Sequence, residues 1–471
     1  MRRYDMVIIG GGAAGLVAAR EARRLGKTVV IVQDGPLGGD CTFTGCVPSK
    51  TLLAQSALRQ PFEAAIAAVH EVVAHIAAGE DAAAMAHYGI DVIHGRAMVH
   101  SAHRVEVNGI MLKTRRLVVA TGARPLLPPI PGLAQLPPLT NETLFQLTAA
   151  PASLVVLGGG PIGCEMAQAF ARFGTAVTLI EAAPRLLPRE EPEASATVAR
   201  ALQADGVIVR LATSATAVAR LPDGSVQVTT DQGEPAQAEQ LLAAIGRAPS
   251  GRGFGLEAVG VRLDARGAVV VDDAMATNVR GIFAAGDVTG RLQFTHAAGR
   301  MGWIAAANAL SKVAKVRRFR FSTAAIPWAT FTSPEVGRVG LTETEAATQH
   351  PGARVAFLPF SHVDRAIVSG HTDGFVKLIA VPRRLIGHLG GGRLVGATVV
   401  GPTGGDVVHE AALAVQTRML VGRLAQTTHA YPTWAAAVQQ AALQFFGSSS
   451  GFSARPAQRE GTSEGTSEVT T

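Results

Sequence analysis

Cys41 and Cys46 stand four residues apart in the segment GGDCTFTGCVPSK (residues 38–50), beside a glycine pair and ahead of Lys50. The chain of 471 residues holds one more cysteine, Cys164. Three cysteines are far too few to staple a secreted scaffold, so the chain is expected in a reducing compartment, the cytoplasm. In that setting a close cysteine pair is catalytic, redox-active or metal-binding before it is structural.

Such a pair needs elements to position it, and the flanking sequence supplies them. Residues 4–33 read YDMVIIGGGAAGLVAAREARRLGKTVVIVQ. They predict a strand at Val7–Ile9, a turn Gly10-x-Gly12-x-x-Gly15, a helix at Leu16–Leu25 and a second strand at Thr28–Val32. That is a βαβ unit with the dinucleotide fingerprint in its first turn. Glycine is required there because the backbone turns tightly and approaches a pyrophosphate at the helix N-terminus. The same grammar returns at residues 153–181, with Gly158-x-Gly160-x-x-Gly163 and a second strand ending at Glu181. An acid about 20 residues past the glycines binds a ribose diol and repels a 2′-phosphate, which favours NADH over NADPH. Arg185 and Arg189 lie close enough in sequence to oppose that preference. In the first unit the matching position is Gln33, whose amide can still bond a ribose, with Asp34 beside it.

Two such folds imply two dinucleotides, and the remaining turns favour one flavin and one nicotinamide. LVVATGARP (117–125), with Thr121 and Gly122, and TNVRGIFAAGD (277–287), with Gly286 and Asp287, each run an apolar strand into a glycine turn. Asp287 stands at the strand's C-terminal end, the edge where α/β sheets bind ligands, and can accept hydrogen bonds from a polyol chain. Capping of the following turn is the alternative use of this residue.

With these motifs the chain resembles the class I pyridine nucleotide-disulfide oxidoreductases, in particular their mercuric-reductase-like and dihydrolipoyl dehydrogenase branches. AIGRAP (244–249, containing Gly246), IPWATFTSPEVGRVGLTETEA (326–346) and GATVVGPTGGDVVHEA (396–411) extend the likeness from Tyr4 to about Phe446. The resemblance implies bound FAD, NADH or NADPH as co-substrate, and a homodimer built through a C-terminal interface domain. It further implies that Cys41 and Cys46 form a redox-active disulfide, with Cys46 facing the flavin and Cys41 meeting the substrate. Lys50 would lie beside the flavin, ion-paired with Glu165. Closing so small a loop adds little stability, which suits a bond used for exchange. The rival reading, a metal site, lacks a CxxC or a nearby histidine pair. Cys164 reads as a buried small hydrophobe.

The chain departs from this pattern near its end. The resemblance implies a His-Pro-Thr-x-x-Glu segment, but residues 429–436 read HAYPTWAA. Tyr431 takes the place of the acid-base histidine, and Ala436 that of its glutamate. Making a tyrosine a base near neutral pH requires about 4 kcal/mol of differential stabilisation, so Tyr431 is read as a hydrogen-bond donor or weak ligand. His429 is read as structural. Mercuric-reductase likeness implies a C-terminal cysteine pair as well, and GFSARPAQREGTSEGTSEVTT (451–471) holds none.

The acceptor is accordingly expected to be a metal ion, a small disulfide or a quinone. Dihydrolipoyl dehydrogenase and a low-turnover flavoprotein redox sensor are the alternatives. No resident metal, nucleic acid or membrane partner is expected. The net charge of +7 is scattered, and its one dense run, Lys315–Arg320, lacks interleaved aromatics and reads as a solvated loop. Glycines break the N-terminal apolar stretch too early for a signal peptide. No uninterrupted apolar run reaches about 18 residues, so no membrane span is expected.

The predicted fold class is α/β: two Rossmann-like three-layer nucleotide domains followed by an α+β dimerisation domain. The order is FAD domain 1–148, NAD(P) domain 149–270, return to the FAD domain at 271–325, and interface domain 326–447. GHLGGGRLVG (387–396) is read as a hairpin loop, and 448–471 as a disordered tail with GTSE repeated.

Overall fold

The computed structural model describes residues 2–459. The first βαβ unit consists of β1 (Arg2–Ile9), α1 (Ala13–Arg24) and β2 (Val29–Gln33). β1 begins well before its apolar run because Arg2–Tyr4 pair in parallel with Leu112–Thr114. Its inner residues Met6, Val7 and Ile8 are fully buried. The sheet places Asp91–His94, β2, β1 and Ile110–Val119 side by side in parallel, with Ile282–Ala284 joined to the last. Arg104–Val107 and Ala97–Ser101 extend it as an antiparallel meander. The second dinucleotide fold is a four-stranded parallel sheet ordered Ile208–Arg210, Ala176–Ile180, Ser153–Leu157, Gln240–Ala243.

The chain forms two compact units, Met1–Ala182 with Gly206–Ser322, and Ala183–Asp205 with Thr323–Thr471. Residues 183–205, assigned from sequence to 149–270, thus group with the C-terminal unit. Buried charge accounts for this. Lys377, 1% exposed, lies 3.1, 2.7 and 3.0 Å from carboxylates of Glu191, Glu193 and Glu343. Glu190 accepts from the Trp328 indole at 2.7 Å and sits 3.0 Å from the Arg338 guanidinium.

This second unit is a six-stranded antiparallel sheet, ordered Trp328–Thr330, Glu335–Gly340, Arg393–Gly401, Phe375–Val381, Arg354–Pro359, Arg455–Pro456. Helices Gly404–Gln416 and Ala436–Leu443 bury Val408, Ala411, Val438 and Ala441 against it. Residues 387–392 lie in the loop between two paired strands. The expected disordered tail needs correction: Arg455–Pro456 pairs with Arg354–Val355, so a partner strand orders what composition left open. The GTSE repeat lies outside the described residues.

The stretch Phe62–His87 is long and apolar enough, by length and composition, to cross a membrane. In the fold it is two helices, Phe62–Ala78 and Ala82–His87, and the first buries Phe62, Ala65, Ile66 and Val69.

Candidate functional site

Cys41 lies in α2 (Gly39–Phe43), and Cys46 opens α3 (Cys46–Ala57). Backbone N–H groups at a helix start favour a thiolate, so the position of Cys46 is itself activating. The two cysteines approach to 3.6 Å, and both are free thiols. Cys46 Sγ also lies 3.4 Å from the hydroxyl of Thr295, first residue of the helix Thr295–Leu310.

These contacts divide the protons unequally. The hydrogen bond from Cys41 holds the Cys46 thiol down at about 5, and Thr295 and the Lys50 charge act the same way against burial and Glu165. The same bond drives Cys41 up, with burial adding to it. Both shifts point the same way: negative charge is favoured at Cys46 and the proton at Cys41. Lys50 Nζ donates to Glu165 Oε2 at 2.7 Å. Glu165, on the helix Pro161–Arg172, is 3% exposed at its side chain and Lys50 is 32% exposed. Cys164 is fully buried, its Sγ bonded to the Gly159 carbonyl at 3.3 Å, and burial pushes its thiol up. It is inert by that environment.

The two glycine turns are near copies. Gly10 and Gly158 share φ of 105°. A Cβ on Gly15 would fall 1.9 Å from the Gly10 carbonyl oxygen, and one on Gly163 1.8 Å from that of Gly158. Only glycine allows each helix to start so close to its strand. Each turn is also braced from the end of its second strand: Gly11 N–H donates to Gln33 Oε1 at 2.6 Å, and Gly159 N–H to Glu181 Oε2 at 2.5 Å. Gln33 thus makes with an amide the bond that Glu181 makes with a carboxylate.

The remaining residues expected at the cradles are Gly12, Thr121, Gly122, Gly160, Gly246, Gly286 and Asp287. A Cβ at Gly122, Gly160 or Gly246 would meet nothing within 4 Å, which leaves open space over these turns. Thr121 Oγ1 donates to the Ser250 carbonyl at 2.7 Å. Asp287 follows Gly286 at the start of a short 3₁₀ turn. Burial pushes its carboxyl up to about 6, with Asp40 and Cys46 adding and Arg247 opposing. A buried carboxyl beside glycine turns fits a polyol with its pyrophosphate, so these residues fit FAD, and the second turn fits a nicotinamide dinucleotide. Thr295 was not singled out from sequence. A hydroxyl at a helix start is its only local signal.

In the second unit Tyr431 is 74% exposed and its hydroxyl donates to Asp364 Oδ2 at 2.9 Å. That bond pushes the phenol up. His429 faces Glu410 instead, with Nε2 3.0 Å from the carboxylate and Nδ1 2.9 Å from the Thr427 carbonyl. Burial pulls this imidazole down, but Glu410 and Thr427 outweigh it and raise it. Both ring nitrogens face acceptors, an arrangement that favours the protonated imidazole. Ala436 opens the helix Ala436–Leu443 and carries no acid. Among the described residues no group of three or more His, Cys, Asp or Glu is placed to hold a metal.

Comparison with known families matches residues 4–302 to "Pyridine nucleotide-disulphide oxidoreductase" and residues 326–442 to its dimerisation domain. The chain belongs to the pyridine nucleotide-disulphide oxidoreductases. A mercuric reductase of Streptomyces lividans is 38% identical over 94% of this chain and 96% of its own. A dihydrolipoyl dehydrogenase of Thermus scotoductus is 32% identical over 94% and 97%. Among solved structures, the HOCl-induced flavoprotein disulfide reductase RclA of Escherichia coli, in its Cu(II) complex, has a TM-score of 0.84 at 30% identity. It covers 94% of this chain and 99% of its own. The chain is thus a mercuric-reductase-like flavoprotein disulfide reductase, an oxidoreductase of an FAD- and NAD(P)H-using family. Its dimerisation domain supports a homodimer.

Proposed function

We propose that this oxidoreductase passes electrons from NADH, in preference to NADPH, to the Cys41–Cys46 pair and from there to a soft metal ion or small disulfide in the cytoplasm. The observation that carries the reading is the placement of the pair: Cys41 and Cys46 lie 3.6 Å apart, and Cys46 opens α3 where Cys41, Thr295 and the Lys50 charge all favour its thiolate. Bound FAD would supply the two-electron chemistry between nicotinamide and thiols. Gly10, Gly12, Gly15, Gln33, Thr121, Gly122, Gly286 and Asp287 would hold it. Gly158, Gly160, Gly163, Glu181 and Gly246 would hold the nicotinamide dinucleotide.

The other residues take the following parts. The α3 N-terminus, Thr295 and Lys50 hold negative charge on Cys46. Glu165 keeps Lys50 in place. Cys41 carries the proton and is the thiol that meets the acceptor. Ligation of a soft cation releases that proton, so the acceptor itself activates Cys41. Tyr431, read from the resemblance as a hydrogen-bond donor or weak ligand, donates its one O–H to Asp364. Turnover of a dithiol substrate such as dihydrolipoamide needs a base for the incoming thiol, and neither Tyr431 nor His429 offers one.

The test is an anaerobic NADH titration of wild type and Cys41→Ser, followed by visible spectra and acceptor turnover. Wild type should develop a long-wavelength thiolate–flavin band. Cys41→Ser should accept hydride yet lose turnover with Hg(II) and with a small disulfide. Equal turnover by the two proteins with every acceptor would remove the thiols from the mechanism.

A further inference from the structure

Asp40 precedes Cys41 and has no part in the reading above; the family resemblance implies a threonine at its position. The helix that carries Cys41 is only five residues long, and its N-cap, Gly38, offers no capping side chain. One turn fixes more dihedral angles than it makes hydrogen bonds, so α2 does not hold its place alone. Three side-chain ties hold it. Thr42 Oγ1 donates to Glu80 Oε2 at 2.8 Å. Asn141 Nδ2 donates to the Thr44 carbonyl at 3.2 Å. Arg247 Nη2 donates to Asp40 Oδ2.

Only the third tie joins opposite charges, and it flanks Cys41 directly. Arg247 is itself fixed. Its Nη2 also donates to the Ala123 carbonyl at 2.8 Å, and Arg247–Pro249 pairs with Ala123–Pro125 in an antiparallel ribbon. Its side chain is 14% exposed, against 42% for Asp40. The helix bearing Cys41 is thereby tied to a ribbon 207 residues away in sequence.

We propose that the Asp40–Arg247 pair is a clasp that holds Cys41 against Cys46 and so favours their disulfide over the dithiol. Both are positioning residues, and the proposal rests on the reading that this pair cycles between the two states. Disulfide formation joins the two Sγ atoms and releases two electrons and the proton held at Cys41. In the test these, with a second proton from solvent, reduce the cyclic disulfide of dithiothreitol to its dithiol. Proximity enters that equilibrium as an effective concentration, which a loosened α2 lowers.

Charge acting through space predicts a different pattern. Loss of the Asp40 carboxylate would stabilise nearby thiolate, and loss of the Arg247 cation would destabilise it. Electrostatics alone therefore moves the two variants in opposite directions, whereas a clasp moves them together.

The experiment equilibrates the holoenzyme anaerobically in mixtures of dithiothreitol and its cyclic disulfide, then traps thiols by alkylation for mass measurement. Asp40→Ala, Arg247→Met and the double variant should each lower the disulfide equilibrium constant about tenfold, and the double no further. That is a shift of about 30 mV to more positive potential for a two-electron couple. Asp40→Glu should recover part of it, and Asp40→Asn serves if the alanine variant does not fold. Opposite shifts, additive shifts or no shift overturn the clasp. A wild-type pair that stays reduced in the fully oxidised mixture would overturn the disulfide reading itself, a separate result.

Discussion

The Lys50–Glu165 ion pair gives a prediction whose two halves have opposite signs at the same thiol. Glu165 is 3% exposed and Lys50 32% exposed, 2.7 Å apart. Lys50→Met strips a buried carboxylate of this cation, which costs about 3–5 kcal/mol. Glu165→Gln leaves a lysine that reaches water, and costs roughly 1 kcal/mol. At about 2 °C per kcal/mol for a unit this large, melting falls roughly 6–10 °C in the first variant and about 2 °C in the second. At Cys46 the effects diverge, because Lys50 lowers its thiol and Glu165 raises it. Lys50→Met should move the Cys46 midpoint up from about 5 and Glu165→Gln should move it down.

Stability follows the same signs. The depressed Cys46 thiol contributes stability that grows as pH rises to its free value of about 8.5, above which the raised Cys41, still protonated in the fold, works against it. The stabilisation is lost as pH falls through about 5, and Lys50→Met narrows this window. The assay is iodoacetamide alkylation of reduced protein across pH, with Cys41 and Cys46 peptides separated by mass. Midpoints that move the same way in both variants would refute the electrostatic account of the thiolate.

Three further outcomes are expected. Glu181→Ala should raise KM for NADH about tenfold while NADPH use holds or improves, since the carboxylate and its repulsion leave together; an unchanged NADH-to-NADPH ratio from steady-state kinetics would count against the ribose assignment. Tyr431→Phe should leave the pH profile of turnover unchanged between about pH 6 and 9, because Asp364 pushes the phenol above its ordinary value; loss of a neutral limb would make Tyr431 the base after all. Lys377→Met should lower the melting temperature of its unit by roughly 6–20 °C, the effect of about 3–5 kcal/mol. Burial pulls the Lys377 ammonium down but Glu191, Glu193 and Glu343 raise it overall, so the wild-type stabilisation persists below the free lysine value and fades only as pH climbs through the raised one; melting scans to alkaline pH check this.

Both dinucleotide folds were legible because their glycines answer to local geometry. Gly15 and Gly163 meet a carbonyl five residues back, and no distant partner alters that. Strand ends were not legible: β1 starts at Arg2 because Ile110–Val119 extends beside it, a partner that its own polar residues do not announce. The same holds for the ordered strand Arg455–Pro456. Gln33 was visible as an anomaly, yet its bond to Gly11 needed coordinates. Arg247 stood inside a quoted motif without a role, because its partner lies 207 residues upstream. Residues 183–205 were assigned to the NAD(P) domain by their place in the chain, and Lys377 and Arg338 show why they group with the C-terminal sheet.

The departure at Tyr431 and Ala436 and the proton on Cys41 bear on the same question. An enzyme that oxidises a dithiol must take a proton from an incoming thiol of pKa about 8.5. This chain offers a phenol raised further by Asp364 and an imidazole with both nitrogens engaged. An acceptor that takes electrons brings no such proton. It needs Cys41 to lose the one it holds, and a soft cation drives that loss by binding the sulfur. A small disulfide needs the reverse, a proton delivered to its leaving sulfur, and Cys41 is the group that carries one. On the proposed reading, the missing dyad therefore weighs against an incoming dithiol and suits an acceptor that draws on the proton at Cys41.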